Sequence, residues 1–358
     1  MSDPHILRAR ILTVFGVTAI LSGHGIALGD CAVSDSEIVC IGAPDDDVCL
    51  PQNEVQAELE EHLSLDCPVV DIEEGVFEDN RCCYEVKVLC PSDSGLYTND
   101  CGCYGRPFVV EGQVIQATGD YRNGWSRDVR PDLEGLSASQ RRLLAEKWTE
   151  DALAEHSSVA GFNRFALDLM AHGAPADLVL RAQVAAGQEI EHARLCFGLA
   201  SAYAGRSLGP SGLPIAQAPV ARDLVELAVW TATEGAIGET LAAWLATAAR
   251  DRATDSAVRA VLDRIVEDET EHAQLAWATL KWAVEVGGED VRAALNRVMR
   301  TWAGRVSGDA VGLHAHGLLT PTERAQALKV GWNEVVRPAF DALLGTELKR
   351  SARSTPLR

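Results

Sequence analysis

Glu189-Ile-Glu-His-Ala-Arg-Leu-Cys-Phe197 and Glu269-Thr-Glu-His-Ala-Gln-Leu-Ala-Trp277 are the two stretches that decide the fold of this 358-residue chain. Each contains the spacing Glu-x-x-His, in which the histidines are His192 and His272. On a helix, residues three apart project from one face and lie about 5–6 Å apart at Cβ. A carboxylate and an imidazole placed in this way can bind one metal ion, and two such pairs that face each other can bind two. The duplication in matched apolar surroundings is far more specific than a single Glu-x-x-His.

A single glutamate precedes each of these stretches by nearly the same interval. Glu155 lies 34 residues before Glu189, and Glu234 lies 35 residues before Glu269. A short helix-breaking segment separates the members of each pair, so two antiparallel helices would bring the paired glutamates level.

Glu239 competes with Glu234 for the ligand position on its helix. Glu234 falls on an apolar stripe when helical periodicity is counted, and a buried carboxylate there needs a partner. Glu239 falls instead on a face of small residues that suits close helix packing. The sequence therefore favours Glu234 as the ligand and leaves Glu239 as an additional ligand or a surface charge.

Residues 138–286 resemble the ferritin-like superfamily of four-helix bundles, which includes rubrerythrins, ferritins, manganese catalases and di-iron oxygenases. That superfamily binds two metal ions with one Glu from each of two helices and Glu-x-x-His from the other two. The resemblance implies two iron ions, or alternatively two manganese ions, bridged by Glu189 and Glu269. It implies six metal ligands: Glu155, Glu189, His192, Glu234, Glu269 and His272.

Three further side chains are expected close to these ligands. The resemblance implies that Asp268 hydrogen-bonds His192, and Gln188 occupies the corresponding position in the other half, which makes the two metal environments unequal. Cys196 lies on the same interior stripe as His192, where a free cysteine usually behaves as a small hydrophobic residue.

The helical interpretation also stands on local signals. Ser137-x-x-Gln140 is a capping box that starts the first helix. The predicted helices run to Gly173, from Pro175 to Gly205, from about Ala221 to Arg250, and from Ser256 to about Val286. The long Pro- and Gly-rich stretch 206–219 supplies the one long crossover of a ferritin-like bundle. Further helices are predicted at 290–304 and 322–344.

The first third of the chain has a different composition. Residues 30–103 contain 19 Asp or Glu and two Lys or Arg, a balance of −17 out of −20 for the whole chain. Alternating stretches at 69–73, 84–88 and 106–110 predict strands, and 54–63 predicts a short helix. The cysteine spacings do not form zinc knuckles, so a disulfide framework is predicted. Its candidate members are Cys31, Cys40, Cys49, Cys67, Cys82, Cys83, Cys90, Cys101 and Cys103.

Disulfides require export, and the start of the chain resembles a secretory signal peptide. Arg8 and Arg10 precede an apolar run over 11–28, and small residues allow cleavage before Asp30. Two alternatives stay open, namely a lipoprotein anchored through Cys31 and a cytoplasmic protein that keeps its start. We therefore expect the protein in the periplasm, cell envelope or extracellular space.

The predicted fold is mainly α: a ferritin-like four-helix bundle with extra C-terminal helices, preceded by a small disulfide-rich α+β module. The boundaries are a signal peptide at 1–29, the acidic cysteine-rich module at 30–103, a connector at 104–137, the bundle at 138–286 and C-terminal helices at 287–358.

The expected function is that of a non-haem di-iron oxidase or oxygenase that uses O2 or peroxide. The alternatives are peroxide removal, ferroxidase activity, and a metal-binding or scaffold protein without catalysis. An external electron donor is expected, and self-association is compatible with the sequence. An acidic chain is a poor nucleic-acid binder, and membrane attachment is expected only through a lipid anchor.

Overall fold

The computed structural model describes residues 4–16, 37–42, 69–72, 76–78, 81–88, 105–301 and 312–345. The chain divides into two compact units, one formed by residues 23–93 and the other by residues 1–22 and 94–358. Most described residues are helical, which confirms the prediction of a mainly α-helical fold. The helix predicted at 54–63 lies outside the described residues.

The larger unit begins with helix α1, Pro4–Leu12, followed by a 3-10 turn at Thr13–Phe15. The Ile11 side chain is fully buried in the core of this unit. The ring of Phe15 meets the ring of Trp277 edge to face, with centroids 6.0 Å apart. Residues that the sequence assigns to a signal peptide thus pack into the helical core.

The smaller unit contains one antiparallel sheet built around its longest strand. Its strands are β1 Glu37–Gly42, β2 Val69–Ile72, β3 Val76–Glu78 and β4 Arg81–Val88. Strand β4 pairs with β1 on one side and with β2 and β3 on the other. The register places Cys40 opposite Cys83. The side chains of the nine cysteines assigned to disulfides lie outside the described part of the structure, and the disulfide framework stays a prediction.

Residues 105–137, the described part of the connector predicted at 104–137, lie against the helices of the larger unit. Four two-residue strands form two small antiparallel pairs: β5 Val109–Val110 with β6 Gln113–Val114, and β7 Gly119–Asp120 with β8 Gly209–Pro210. The second pair ties this segment to the long crossover at 206–219.

Helices α2, Ala138–Ala171, and α3, Ala176–Ala204, form an antiparallel pair packed along their length. The capping box predicted at Ser137 and Gln140 is present: the hydroxyl of Ser137 accepts from the Gln140 amide, and the Gln140 side chain accepts from the Ser137 amide. Gly173, with φ of 69°, allows the chain to reverse direction between the helices.

A π turn interrupts the third long helical segment. Helix α4, Leu224–Trp230, passes directly into the π turn Thr231–Ile237 and then into α5, Gly238–Arg252. A π turn holds about one more residue than an α turn, and this rotates the following residues by roughly 100° relative to an uninterrupted α-helix. The faces presented by α5 therefore differ from those that α periodicity predicts.

Helix α6, Ser256–Thr301, is bent at Gly288, whose φ of 57° and ψ of −131° are not helical. The bend falls where the sequence predicts the end of the fourth helix. Helix α7, Pro321–Gly331, continues through a second π turn, Trp332–Val336, into α8, Arg337–Leu344. None of the helices in the described ranges combines the length and apolar character needed to span a bilayer.

Glycines on the long helices let the segment 105–137 approach their backbones. A Cβ added at Gly161 of α2 would lie 2.5 Å from the carbonyl oxygen of Arg106. A Cβ at Gly198 of α3 would lie 2.6 Å from the carbonyl oxygen of Arg127. The backbone of this segment therefore lies directly against the backbones of both helices, and the segment is part of the packed unit.

These contacts predict opposite outcomes for two Gly→Ala substitutions on neighbouring helices. Gly161→Ala should lower the free energy of unfolding by about 1–3 kcal/mol, because the added methyl group overlaps a backbone oxygen. Gly187→Ala should raise it by about 0.5–1 kcal/mol, because alanine suits a helix better and no described residue outside this stretch of helix lies within 4 Å of the new Cβ. Urea unfolding followed by circular dichroism at 222 nm measures both. Equal effects of the two substitutions would contradict the close packing.

Candidate metal centre

Six acidic and imidazole side chains from four helical segments meet in the interior of the larger unit. They form two overlapping groups, in each of which one ligand atom per residue lies within 4.8 Å of the others. The first group, called here the His192 position, consists of Glu155, Glu189, His192 and Glu269. The second, called the His272 position, consists of Glu189, Glu239, Glu269 and His272. Both positions share the two glutamates of the repeated Glu-x-x-His stretches.

The Nδ1 atoms of both histidines point at these carboxylates. Nδ1 of His192 lies 3.3 Å from Oε1 of Glu269, 3.6 Å from Oε2 of Glu189 and 3.9 Å from Oε2 of Glu155. Nδ1 of His272 lies 3.0 Å from Oε1 of Glu189 and 3.6 Å from Oε1 of Glu269. The helical spacing of three residues thus places each imidazole beside its own glutamate, as the sequence predicts.

The Nε2 atoms are held on the opposite edges of the rings. Nε2 of His192 hydrogen-bonds Oδ2 of Asp268 at 3.0 Å, and Nε2 of His272 hydrogen-bonds Oε1 of Gln188 at 3.0 Å. The amide of Gln188 donates to Oδ1 of Asp268 at 2.8 Å, and Arg264 lies 2.8 Å from Oδ2 of the same carboxylate. Because each Nε2 faces an acceptor, the neutral form of each ring has its Nδ1 lone pair available for a metal ion.

Charge is distributed unevenly over the cluster. Burial, reinforced by neighbouring carboxylates, raises the pKa of Glu155 and of Glu239 well above the usual range. Burial also tends to raise the pKa of Glu189, but the adjacent imidazoles of His192 and His272 outweigh it and lower that pKa. Burial tends to lower the pKa of His272, yet the adjacent carboxylates of Glu189 and Glu269 raise it to about 9.

The arrangement fits metal ions because its polar atoms are otherwise unsatisfied. Within the described ranges, buried atoms without a hydrogen-bond partner include Oε2 of Glu189, both carboxylate oxygens of Glu239, Oε2 of Glu269, and Nδ1 of His192 and His272. Leaving such groups unpaired in a protein interior costs several kcal/mol. Carboxylate oxygens and imidazole nitrogens are ligands that iron, manganese and other divalent metals accept. A buried Glu/His group that can hold metal is therefore present.

Glu234, expected to be a ligand, lies outside both metal positions. Its Oε2 accepts a hydrogen bond of 2.7 Å from Nη2 of Arg164, and both side chains are buried. Arg164 also donates to the carbonyl oxygen of Val109 and stacks over Trp230. Glu234 lies within the π turn, and Glu239 follows it. The rotation at that turn brings Glu239 to the cluster, which α periodicity did not predict.

Two buried arginines near the cluster were not predicted from the sequence. Arg164 stands in the otherwise apolar helical stretch that contains Phe162 and Phe165, and that isolation was a usable signal. Arg106 belongs to the segment predicted to be a connector, and its Nε lies 4.0 Å from Oε1 of Glu239. Nothing in its surroundings in the sequence marks it as a buried residue.

A cavity of about 110 Å³ opens next to the His192 position. Its lining includes Trp148, Asp151, Glu155, Cys196 and Glu269. Burial raises the pKa of Asp151 to about 6. Burial also raises the pKa of the Cys196 thiol, which is free and fully enclosed. Cys196 therefore stays protonated and packs as a small apolar group.

The pairing of Glu234 with Arg164 predicts a structural phenotype for its loss. Glu234→Ala should reduce the free energy of unfolding by about 3–5 kcal/mol, because it leaves a buried guanidinium without its carboxylate. The double variant Glu234→Leu with Arg164→Met should recover most of that loss, since two apolar side chains replace the ion pair. Denaturant unfolding of the single and double variants measures the difference. A single variant as stable as the natural protein would contradict the pairing.

No family model, curated protein sequence or solved structure matches this chain. The centre therefore has to be interpreted from its own geometry.

Proposed function

We propose that this protein is a non-haem dinuclear metal oxidoreductase, with two iron or two manganese ions in a ferritin-like four-helix bundle, that reacts with O2 or peroxide. The observation that carries the proposal is the pair of overlapping Glu/His positions that share Glu189 and Glu269. Its ligand set would be Glu155, Glu189, His192, Glu239, Glu269 and His272, with Glu239 in place of Glu234.

The chemistry of the donor atoms supports this assignment. Four carboxylates and two imidazoles suit iron or manganese better than soft-ligand metals. Such ions, when bound, supply one-electron redox chemistry toward O2 or peroxide. Asp268 and Gln188 would hold the imidazole rings in the orientation that directs Nδ1 inward. The ring of Phe162, with its centroid 4.9 Å from that of His272, would help to exclude water.

The size of the adjoining cavity supports a small oxidant as the substrate. Its volume of about 110 Å³ exceeds the space that one water molecule needs. Pockets for drug-sized organic ligands span about 300–1,000 Å³. O2 or hydrogen peroxide would fit beside Glu155 and Glu269, and the volume is below that typical of pockets for large organic substrates. The small volume favours one alternative, peroxide removal with electrons from an external donor, over oxygenation of a bulky substrate.

Export of the protein, with disulfides in the acidic module, is part of the proposal and rests on sequence. The basic residues Arg8 and Arg10, the apolar run after them and the nine clustered cysteines support it. Cleavage before Asp30 would remove α1 and the contact between Phe15 and Trp277 from the helical unit. The mass of protein from the native host distinguishes cleavage, lipidation at Cys31 and retention of the whole chain.

Metal content tests the proposal directly. Protein reconstituted with Fe(II) or Mn(II) should bind two ions per chain, and Glu189→Ala or Glu269→Ala should lose both, because each of these glutamates serves both positions. Glu239→Ala should lower the content toward one ion. Elemental analysis of the desalted protein measures the ratio.

Glu234→Gln is the matched control for Glu239→Ala in that experiment. It keeps the volume and polarity of a residue five positions away on the same helical segment, and it should retain two ions per chain. Purified protein that holds only zinc, or that binds neither metal after reconstitution, would refute the proposed function.

Saturation separates redox catalysis from iron storage. Under air, the protein should stop at two ions per chain and remain a small particle, because the buried Glu/His cluster offers two ligand groups that share Glu189 and Glu269. Fe(III) loading followed by light scattering measures both quantities. Continued uptake with formation of a large shell would favour ferroxidase and storage activity instead.

A further inference from the structure

We propose that Arg106 makes the two metal positions unequal by competing with the metal ion for Glu239, so that the His272 position fills second and binds more weakly. The inference rests on the proposed function, because it concerns how the same centre takes up its ions. Arg106 acts here as a positioning residue, since it contacts a ligand and not the reacting atoms.

The guanidinium of Arg106 is fixed beside Glu239 in the protein interior. The side chain is 2% exposed, and its Nε lies 4.0 Å from Oε1 of Glu239. Its Cζ lies 3.9 Å from the ring centroid of Phe165 and 5.1 Å from that of Phe162. Cation–π contacts hold the positive charge without neutralising it. Nε and Nη2 have no hydrogen-bond partner among the described residues. Glu239 supplies the acidic side chain within 4.0 Å of this guanidinium.

Three glycines make room for this arginine. A Cβ at Gly235 would collide with Nη2 of Arg106, and a Cβ at Gly238 would collide with the carbonyl oxygen of Gly105. A Cβ at Gly161 on the facing helix would overlap the carbonyl oxygen of Arg106. The backbone at 105–106 and the guanidinium thus occupy a slot that only unsubstituted Cα atoms leave open. Glycines on two helical segments thus provide the space in which this cation lies.

Arg106 opposes metal binding at the His272 position in two ways. A metal ion there has to draw the Glu239 carboxylate away from the guanidinium, which is left buried and unpaired. The ion also enters the field of a positive charge that burial keeps from being screened by solvent.

The hydrogen bonds behind the histidines favour the same order of filling. His192 is backed by the carboxylate of Asp268, which makes its ring a stronger ligand. His272 is backed by the neutral amide of Gln188, which does so less. This second observation is independent of Arg106 and points to the His192 position as the tighter one.

Mn(II) alone is a suitable probe, because calorimetry reports its affinity and electron paramagnetic resonance reports whether two ions are neighbours. The full-length protein should show two separate binding steps. At one equivalent the signal should be that of isolated Mn(II), and the second equivalent should suppress it by coupling between the ions. Arg106→Met should tighten the second step at least about tenfold and leave the first nearly unchanged. Arg106→Lys keeps the charge and should keep the two steps apart.

Asp268→Asn is the complementary variant. It should weaken the first step by about 10- to 100-fold, as loss of a hydrogen-bond partner behind a ligand typically does. Arg106→Gln provides a second neutral variant in case methionine does not pack over the phenylalanine rings.

The possible outcomes separate this inference from the proposed function. Two equal steps in the natural protein, or neutral variants that leave the second step unchanged, would overturn the role of Arg106 while two ions still bind. Absence of Mn(II) binding in every form would overturn the dinuclear centre itself. The expected result is a second step that moves toward the first only in the neutral variants of Arg106.

Discussion

Four glutamates buried among helices are the constraint on which the rest of this structure depends. An ionised carboxylate removed from water costs several kcal/mol unless a charge or several hydrogen bonds compensate it. The imidazoles of His192 and His272 compensate part of this cost on one side of the cluster. Asp268 and Gln188 in turn hold those rings, so the packing of α3 against α6 is fixed by polar geometry as well as by apolar contacts.

The chain neutralises its buried acids selectively. Glu234 has a complete internal partner in Arg164 and needs nothing from outside. Glu239 has a partial partner, because Arg106 stands 4.0 Å away and is itself left with unsatisfied nitrogens. Glu189 and Glu269 face the two imidazoles, each other and the neighbouring carboxyl groups of Glu155 and Glu239. The compensation of buried negative charge by basic side chains is therefore largest at Glu234, smaller at Glu239 and smallest at Glu189 and Glu269. The last two are the glutamates that both metal positions share.

The parts of the site set by α periodicity were predictable from sequence, whereas the parts set by departures from it were not. Glu189 and His192 are three residues apart on an uninterrupted helix, so spacing alone places them together. Glu239 reaches the cluster because a π turn rotates the helix before it, and no hydrophobic pattern reveals such a turn in advance. Arg106 comes from a Gly-rich segment that reads as a linker because its contacts are long-range.

The glycines that make space for Arg106 form a spacing pattern that can be recognised in other sequences. Gly161 follows Glu155 by six residues, and Gly235 and Gly238 precede Glu239 in the order Gly-x-x-Gly-Glu. A chain with the same metal ligands but alanine at these three places has no space for a main-chain segment between its helices. The glycines, which are easier to recognise than a lone distant arginine, would therefore sort dinuclear helical proteins into those that can host an internal cation and those that cannot.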